Sequence, residues 1–244
     1  MENAQLVGLS RQVTLQRQMD LIANNLANIN TNGFKAQSLL FEEIGQPRAA
    51  ANTFLRPDQP ISFVVDDANL YDMQPGQMTA TGNPTDVALD GRGWFVVQTP
   101  QGERYTRNGS FAVNAQGQLV TRDNDAVLTD GGPLTLQPGE TNLSIASDGT
   151  ISTNQGVKGK LRVVDFERQG SLKKVGETLF EGENPIPATL PRVVQGQIEK
   201  SNVRGVVELS RMIAVQRSYE SVAKWMQNAD DLRRSAIEKL GQVS

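Results

Sequence analysis

A serine followed three residues later by a lysine is the spacing at which an unprotonated amine can take the proton of a hydroxyl nucleophile. The chain holds it twice, at Ser171 with Lys174 and at Ser221 with Lys224. Ser221 and Lys224 fall on the solvent side of a helical run, where a lysine stays protonated and is no base. Histidine and cysteine are both absent, which removes thiolate and imidazole metal sites, Cys/His and Ser/His/Asp nucleophiles, disulfides and a histidine proton shuttle. Asp123-Asn124-Asp125 begins like a calcium loop, but Val127 and Leu128 stand where that pattern needs an oxygen ligand and a glycine, so it reads as a turn. Gly91-Arg92-Gly93 lacks the third glycine and the following helix of a dinucleotide fingerprint. The acidic doublets Glu42-Glu43, Asp66-Asp67 and Asp230-Asp231 read as solvated surface. No catalytic, cofactor-binding or metal-binding residue is assigned, and Ser171 with Lys174 stays as the one enzymatic alternative.

Charge narrows the partners. The 244 residues carry 24 basic and 27 acidic side chains, a formal net charge of −3, too balanced for a protein that lives by many phosphate contacts, so no nucleic-acid partner is expected. The first twenty residues interleave Glu2, Gln5, Arg11 and Arg17 with apolar positions. That pattern predicts neither a cleavable signal peptide nor a transmembrane segment.

The elements that would position any site differ between the ends and the middle. Asn3 to Ile29 has one glycine, Gly8, and no proline; its apolar residues fall at Leu6, Leu9 and Val13, then at Leu15, Met19, Ile22, Leu26 and Ile29. The second run steps by four and three, a coiled-coil seam that shifts once between Val13 and Leu15. Asn32-Gly33 supplies a helix stop. The C-terminal run, from an N-cap at Ser201 or Asn202 to Leu240, carries a seam of Met212, Val215, Tyr219, Val222, Met226, Ala229, Ala236 and Leu240, broken by Arg233. Rods of roughly 40 Å and 57 Å cannot hide inside a small domain and must pair with each other, with other chains, or both.

Between them, short apolar runs such as Val87-Ala-Leu89, Trp94-Phe-Val-Val97 and Leu161-Arg-Val-Val164 alternate with Asp90-Gly91, Asn108-Gly109, Asp148-Gly149 and similar turns. The fold class is therefore α+β: long N- and C-terminal helices forming a paired, coiled-coil-like inner domain, and an all-β, hairpin-rich central domain. The expected limits are 1–34 and 197–244 for the helical assembly domain, 35–78 and 182–196 for proline-bearing extended arms, and 79–181 for the β-domain.

Five asparagines crowd Ala23-Asn-Asn-Leu-Ala-Asn-Ile-Asn-Thr-Asn-Gly-Phe-Lys35, although asparagine is a mediocre helix former. Asn24 and Asn28 share a helix face beside the seam, where a neutral amide can donate and accept across an interface; a fraying, amide-capped helix end explains the cluster equally well. This stretch resembles the rod signature of bacterial flagellar axial proteins, the family of rod, hook and hook-associated subunits. Thr81-Gly-Asn-Pro-Thr-Asp-Val-Ala-Leu-Asp90, Gly93-Trp-Phe-Val-Val97 and Arg104-Tyr-Thr-Arg-Asn-Gly-Ser-Phe111 are similar to its rod and hook β-domain, and Ile198-Glu-Lys-Ser-Asn-Val203 with Met212 to Glu220 resembles its C-terminal segment. The opening Met1 to Arg11 and the modest length look like the proximal-rod branch, with the distal-rod branch as the alternative.

The resemblance implies a structural subunit of the basal-body rod, polymerising through its terminal helices into a tubular drive shaft. Its partners would be other rod subunits, further copies of itself, and the type III export apparatus that passes it unfolded and uncleaved towards the periplasm. The expected assembly interface is Leu15, Met19, Ile22, Asn24, Asn25, Leu26, Asn28, Ile29, Gly33, Phe34, Met212, Val215, Tyr219, Val222 and Met226. The helix seam among these would stay wet until neighbours cover it, and Asn24, Asn25 and Asn28 would set the register between helices. A self-contained, coiled-coil-stalked binding module is the rival outside the family.

Overall fold

The computed structural model describes residues 2–45, 62–189 and 191–241, with the side chains of 2–5, 41–45, 62–69, 236, 237 and 240 left aside. It is a mixed helix and strand protein, helical at both ends and strand-rich between. No helix among the described residues is long and apolar enough to cross a membrane. The chain divides into two compact units, one of 1–27, 37–70 and 204–244 and one of 28–36 and 71–203.

The first unit contains α1 (Glu2–Ala27), α2 (Gly205–Gly241) and the paired strands β1 (Gln37–Gly45) and β2 (Ser62–Tyr71). Leu15 and Ile22 of α1 and Val215 of α2 are buried, with Met19, Met212, Tyr219 and Val222 packed against them. The helices run antiparallel: Gly8 near the start of α1 lies against Met226 and Trp225, and Asn25 near its end reaches Glu208. A β-carbon on Gly8 would stand 3.0 Å from Met226 Cγ, so the missing side chain is what lets α2 come this close. The seam expected to stay wet until neighbours arrive is thus largely closed within the chain. Its phase shift has a physical meaning: Leu6, Leu9 and Val13 are 53%, 51% and 52% exposed on the far side of α1, while the run beginning at Leu15 faces α2.

Other boundaries also move. α1 ends at Ala27, so Ile29 lies beyond it in a turn. α2 begins at Gly205 and neither Ser201 nor Asn202 caps it, because the Asn202 amide is committed to backbone groups of Ala36, Asp72 and Gln74. The 35–78 arm is a strand pair followed by a short strand; the prolines 47, 57 and 60 on which the arm was read lie outside the described residues, as do the side chains of Ala236 and Leu240. Segment 182–196 is likewise no bare arm, since it supplies two strands.

The second unit is a stack of short antiparallel strands: β3 (Met78–Ala80), β4 (Val87–Asp90), β5 (Trp94–Thr99), β6 (Gly102–Thr106), β7 (Ala112–Val113), β8 (Leu119–Val120), β9 (Ala126–Thr129), β10 (Gly132–Pro133), β11 (Ser144–Ile145), β12 (Thr150–Thr153), β13 (Gly156–Lys160), β14 (Val163–Asp165), β15 (Lys173–Lys174), β16 (Leu179–Glu181), β17 (Ile186–Pro187), β18 (Arg192–Gln195) and β19 (Gln197–Glu199). The main sheet runs β15-β16-β6-β5-β9-β8-β7, with β14 on β5, while β18 pairs with β4 and β19 with β3. The unbroken apolar run Trp94-Phe-Val-Val97 makes β5 a strand buried on both faces. Alternation sends Phe95 and Val97 into a cluster with Val87, Phe111, Leu119, Ile151 and Leu161, and Trp94 and Val96 into a second with Tyr105, Phe166 and Phe180. The Asp123-Asn124-Asp125 stretch is a turn closed by the Thr121 amide donating to Asp125 O at 2.8 Å, with Asn124 left-handed at φ 67°.

Phe95 packs edge-on against Phe111 with ring centroids 5.3 Å apart and is fully buried. Phe95→Ala is expected to cost about 3–5 kcal/mol, measured as denaturant unfolding of Trp94 emission in a Trp225→Phe background.

Candidate functional site: the asparagine-rich turn and the helix pair

Asn25 is the fully buried amide of the first unit. Its carbonyl oxygen accepts the Gln37 N–H at 2.9 Å and its amide donates to Gln37 O at 2.8 Å, so the side chain pairs with β1 as another strand would. The same amide nitrogen donates to Glu208 Oε2 at 3.2 Å, and Arg211 reaches the other Glu208 oxygen at 2.7 Å. One side chain thereby ties the end of α1 to the start of β1 and the first turn of α2. This is an interhelical contact of Asn25 to a carboxylate within a single chain. Asn24 is exposed, and Asn28 sits in the following turn, where Thr31 Oγ1 donates to its side-chain oxygen at 3.0 Å.

In the second unit the rest of the signature is gripped from 164 residues away. Gly33 is left-handed at φ 70°, and a β-carbon there would stand 2.3 Å from the Asn108 backbone nitrogen, so glycine is required twice over. Its N–H donates to Glu199 O at 2.8 Å. Phe34 is fully buried with the Lys174 ammonium 4.0 Å from its ring centroid. Lys35, also without exposed side-chain surface, donates to Glu199 Oε1 at 2.7 Å and to Gln74 O at 2.8 Å. Gly76 N–H donates to the same Glu199 oxygen at 3.0 Å, and Arg107 Nη1 lies 3.6 Å from the other. Asn202 completes the clasp, accepting Ala36 N–H at 2.7 Å and donating to Asp72 O and Gln74 O at 2.8 and 3.0 Å.

Burial sets the electrostatics. Desolvation lowers the Lys35 amine below its ordinary value, against the pull of Glu199, and it lowers the Arg107 guanidinium in the same way. Lys174 is pushed down to about 8 by burial, with Glu177 opposing. None of this assembles a nucleophile with a base: Ser171 Oγ donates to Arg168 O at 2.7 Å while Lys174 covers Phe34. Ser221 and Lys224 are exposed on α2. Among the described residues no group of three or more acidic side chains is placed to hold a metal ion. The arrangement fastens chain segments together.

Leu15, Ile22 and Val215 are thus brought together with Met19, Met212, Tyr219 and Val222, and Met226 is placed at Gly8. Leu26 and Ile29 are half-buried, and Gly33 and Phe34 belong to the second unit. Lys35, Arg107, Glu199, Asn202 and Glu208 were not assigned from sequence as site residues. The available signal was the presence of Lys35, Arg107, Glu199 and Asn202 inside the three motifs that carry the family resemblance.

Comparison with known proteins gives the family. Three family profiles match: flagella basal body rod protein over 6–35, flagellar hook protein FlgE/F/G D1 domain over 88–153, and flagellar basal body rod FlgEFG protein C-terminal over 194–239. The chain is 40% identical to the flagellar basal-body rod protein FlgF of Caulobacter vibrioides over 248 aligned residues and 32% identical to that of Mesorhizobium japonicum over 249, covering all of both chains in each case. It is 32% identical to the flagellar basal-body rod protein FlgG of Buchnera aphidicola subsp. Schizaphis graminum, over 93% of this chain and 94% of that one.

Two outcomes test the clasp. Glu199→Gln leaves two buried cations, Lys35 and Arg107, without their anion and is expected to destabilise the second unit by about 3–5 kcal/mol, whereas Lys35→Met with Arg107→Met and Glu199→Leu, which removes all three charges, recovers most of that loss; urea unfolding of both variants decides it. Because Lys174 titrates near 8 in the folded chain against an ordinary 10.5, the unfolded chain binds the extra proton between those values, and the group adds stability as pH rises through that window. Lys174→Met should flatten the rise in urea midpoint between about pH 8 and 10.5.

Proposed function

The chain belongs to the flagellar rod and hook protein family, and from that membership we infer that it is a structural subunit of the basal-body rod. Full-length similarity to rod proteins named FlgF supports placing it in the proximal part of the rod. The observation that carries assembly is that the helix pair closes its own seam and still leaves large aliphatic side chains about half exposed or more, among them Leu6, Leu9, Val13, Val206, Leu209, Ile213 and Leu232. Aliphatic surface at helical spacing, beyond what the chain needs for its own core, favours association with similar helices.

On this reading the helices of successive subunits pack side by side in a coiled-coil-like inner tube that transmits torque, and the β-rich unit adds strand-built bulk without chemistry. Other rod subunits and further copies are the partners, and delivery runs through the flagellar type III export apparatus without signal cleavage. Leu15, Ile22 and Val215 act from inside by holding the pair together. Met19, Met212, Tyr219 and Val222 pack against that cluster and Met226 against Gly8, so they too act from inside, while exposed Asn24 and half-buried Leu26 and Ile29 are offered to neighbours. Asn25, Gly33 and Phe34 serve the interface by fixing where the chain leaves it.

The test is location. Basal bodies purified from cells carrying an epitope-tagged copy in place of the gene should contain the tagged chain with the rod, and deletion of the gene should abolish swimming. A tagged chain absent from basal bodies, in cells that still swim without it, would overturn the reading.

A further inference from the structure

Asparagine followed by glycine is a dipeptide open to spontaneous loss of its amide, because the next backbone nitrogen reaches the side-chain carbonyl carbon past a residue that has no β-carbon. The chain holds it twice, at Asn32-Gly33 and at Asn108-Gly109. The fold brings both asparagines to the wall of one cavity of about 820 Å³ in the second unit, lined also by Asp86, Arg122, Asp123 and Glu177. Both are half-buried, so depth alone seals neither amide from water.

The two backbones are held differently. Asn32-Gly33 sits in a turn closed by the Phe34 N–H donating to Thr31 O at 3.4 Å. Cyclisation there needs the Gly33 nitrogen to give up its proton and to swing onto Asn32 Cγ. That N–H is donated to Glu199 O at 2.8 Å, and the left-handed Gly33 lies so close to its neighbours that a β-carbon would stand 2.3 Å from the Asn108 nitrogen, leaving no room to swing. At the second site the Asn108 side-chain oxygen accepts the Ser110 N–H at 3.1 Å, which draws electron density from Cγ, and among the described residues no acceptor takes the Gly109 N–H.

We propose that Asn32 is a modification site masked by the clasp: it deamidates while the chain is unfolded, is protected once Gly33 is bonded to Glu199, and once modified bars the clasp from closing. In the first step the Gly33 nitrogen bonds to Asn32 Cγ, the Cγ–Nδ2 bond breaks, and the amide leaves as ammonia with the proton that Gly33 gave up. Water then opens the cyclic imide. Attack at Cγ leaves aspartate; attack at the Asn32 main-chain carbonyl leaves isoaspartate, with the chain running through the former side chain. Neither product fits. Asn32 Oδ1 is buried without a hydrogen-bond partner among the described residues, so a carboxylate there adds a buried charge to a cavity lined by three carboxylates and one guanidinium. Isoaspartate inserts a backbone carbon directly before Gly33, where the Asn108 backbone leaves no slack. The consequence is an age limit on unfolded chains that folding suspends, and it holds whether or not the chain joins a rod.

For the test, full-length protein is aged at mildly alkaline pH, one half folded and the other in guanidinium chloride, and aspartate and isoaspartate are measured at each site by peptide mass spectrometry. Asn32 and Asn108 are expected to convert at similar rates in denaturant, and folding should slow Asn32 at least about a hundredfold, a protection at least about tenfold greater than at Asn108. The aged denatured chain is then refolded by dilution and its folded and unfolded fractions are separated by size. Product at position 32 should be enriched at least about tenfold in the unfolded fraction. Conversion of Asn32 at the same rate in folded and denatured chain overturns the masking, and equal protection at both sites overturns the role given to the bond with Glu199. Product at position 32 spread evenly between the fractions overturns the bar on closure.

Discussion

A lysine and a glutamate without solvent-exposed side-chain surface, 2.7 Å apart and 164 residues apart in sequence, hold the second unit together where its chain enters and leaves. Taking two charges out of water costs several kcal/mol per ion, so such a pair depends on the further partners that gather round it, although Glu199 Oε2 accepts no hydrogen bond among the described residues and has only the Arg107 charge facing it. Here Lys35 also donates to Gln74 O, and Glu199 also accepts from Gly76 N–H and faces Arg107. The cost of burial becomes a demand for one geometry: segments 33–36, 72–76 and 199–202 must all be in place before the charges are satisfied. Asn202 and the left-handed Gly33 enforce the same arrangement through neutral bonds and steric fit.

The helix pair uses a different economy. Leu15, Ile22 and Val215 make a small buried cluster, and long helices joined by so narrow a seam depend on end fixtures to hold their register. Asn25 is one, bonding to β1 and α2 at once, and Gly8 is the other, admitting Met226 at the far end. A charge in place of Asn25 would carry the desolvation cost that the neutral amide avoids.

Rod membership gives these features a common purpose. A torque-bearing subunit needs its own chain fastened tightly and its outward faces left unsatisfied until neighbours arrive. Burial of Lys35 with Glu199 and of Asn25 provides the first; on the proposed assembly, the half-exposed aliphatic side chains of α1 and α2 would provide the second. Half-exposed aliphatics are mild enough that a lone subunit tolerates them, yet repeated along a polymer they add up.

How much of this was legible in the residues depends on range. Local signals were readable: helical periodicity located α1 and α2 to within a few residues at most ends, glycine-bearing turns marked the strands between, and motif resemblance over nearly the whole chain pointed to the family now shown. The signature's asparagines and glycine were visible as anomalies against helix propensity. Their partners were not, because Glu199, Asn202 and Glu208 lie more than 160 residues from Gly33, Lys35, Ala36 and Asn25, which they bind there, and nothing in the intervening chain encodes that pairing. The segments read as bare arms contain strands whose ladder partners lie elsewhere in the chain, as with β18 on β4 and β19 on β3. Periodicity by itself determined that Leu6, Leu9 and Val13 form one apolar stripe and the run from Leu15 another. Only the tertiary structure decided which stripe packs within the chain and which stays uncovered, since that choice depends on where the second helix lies and not on the spacing of residues along the first.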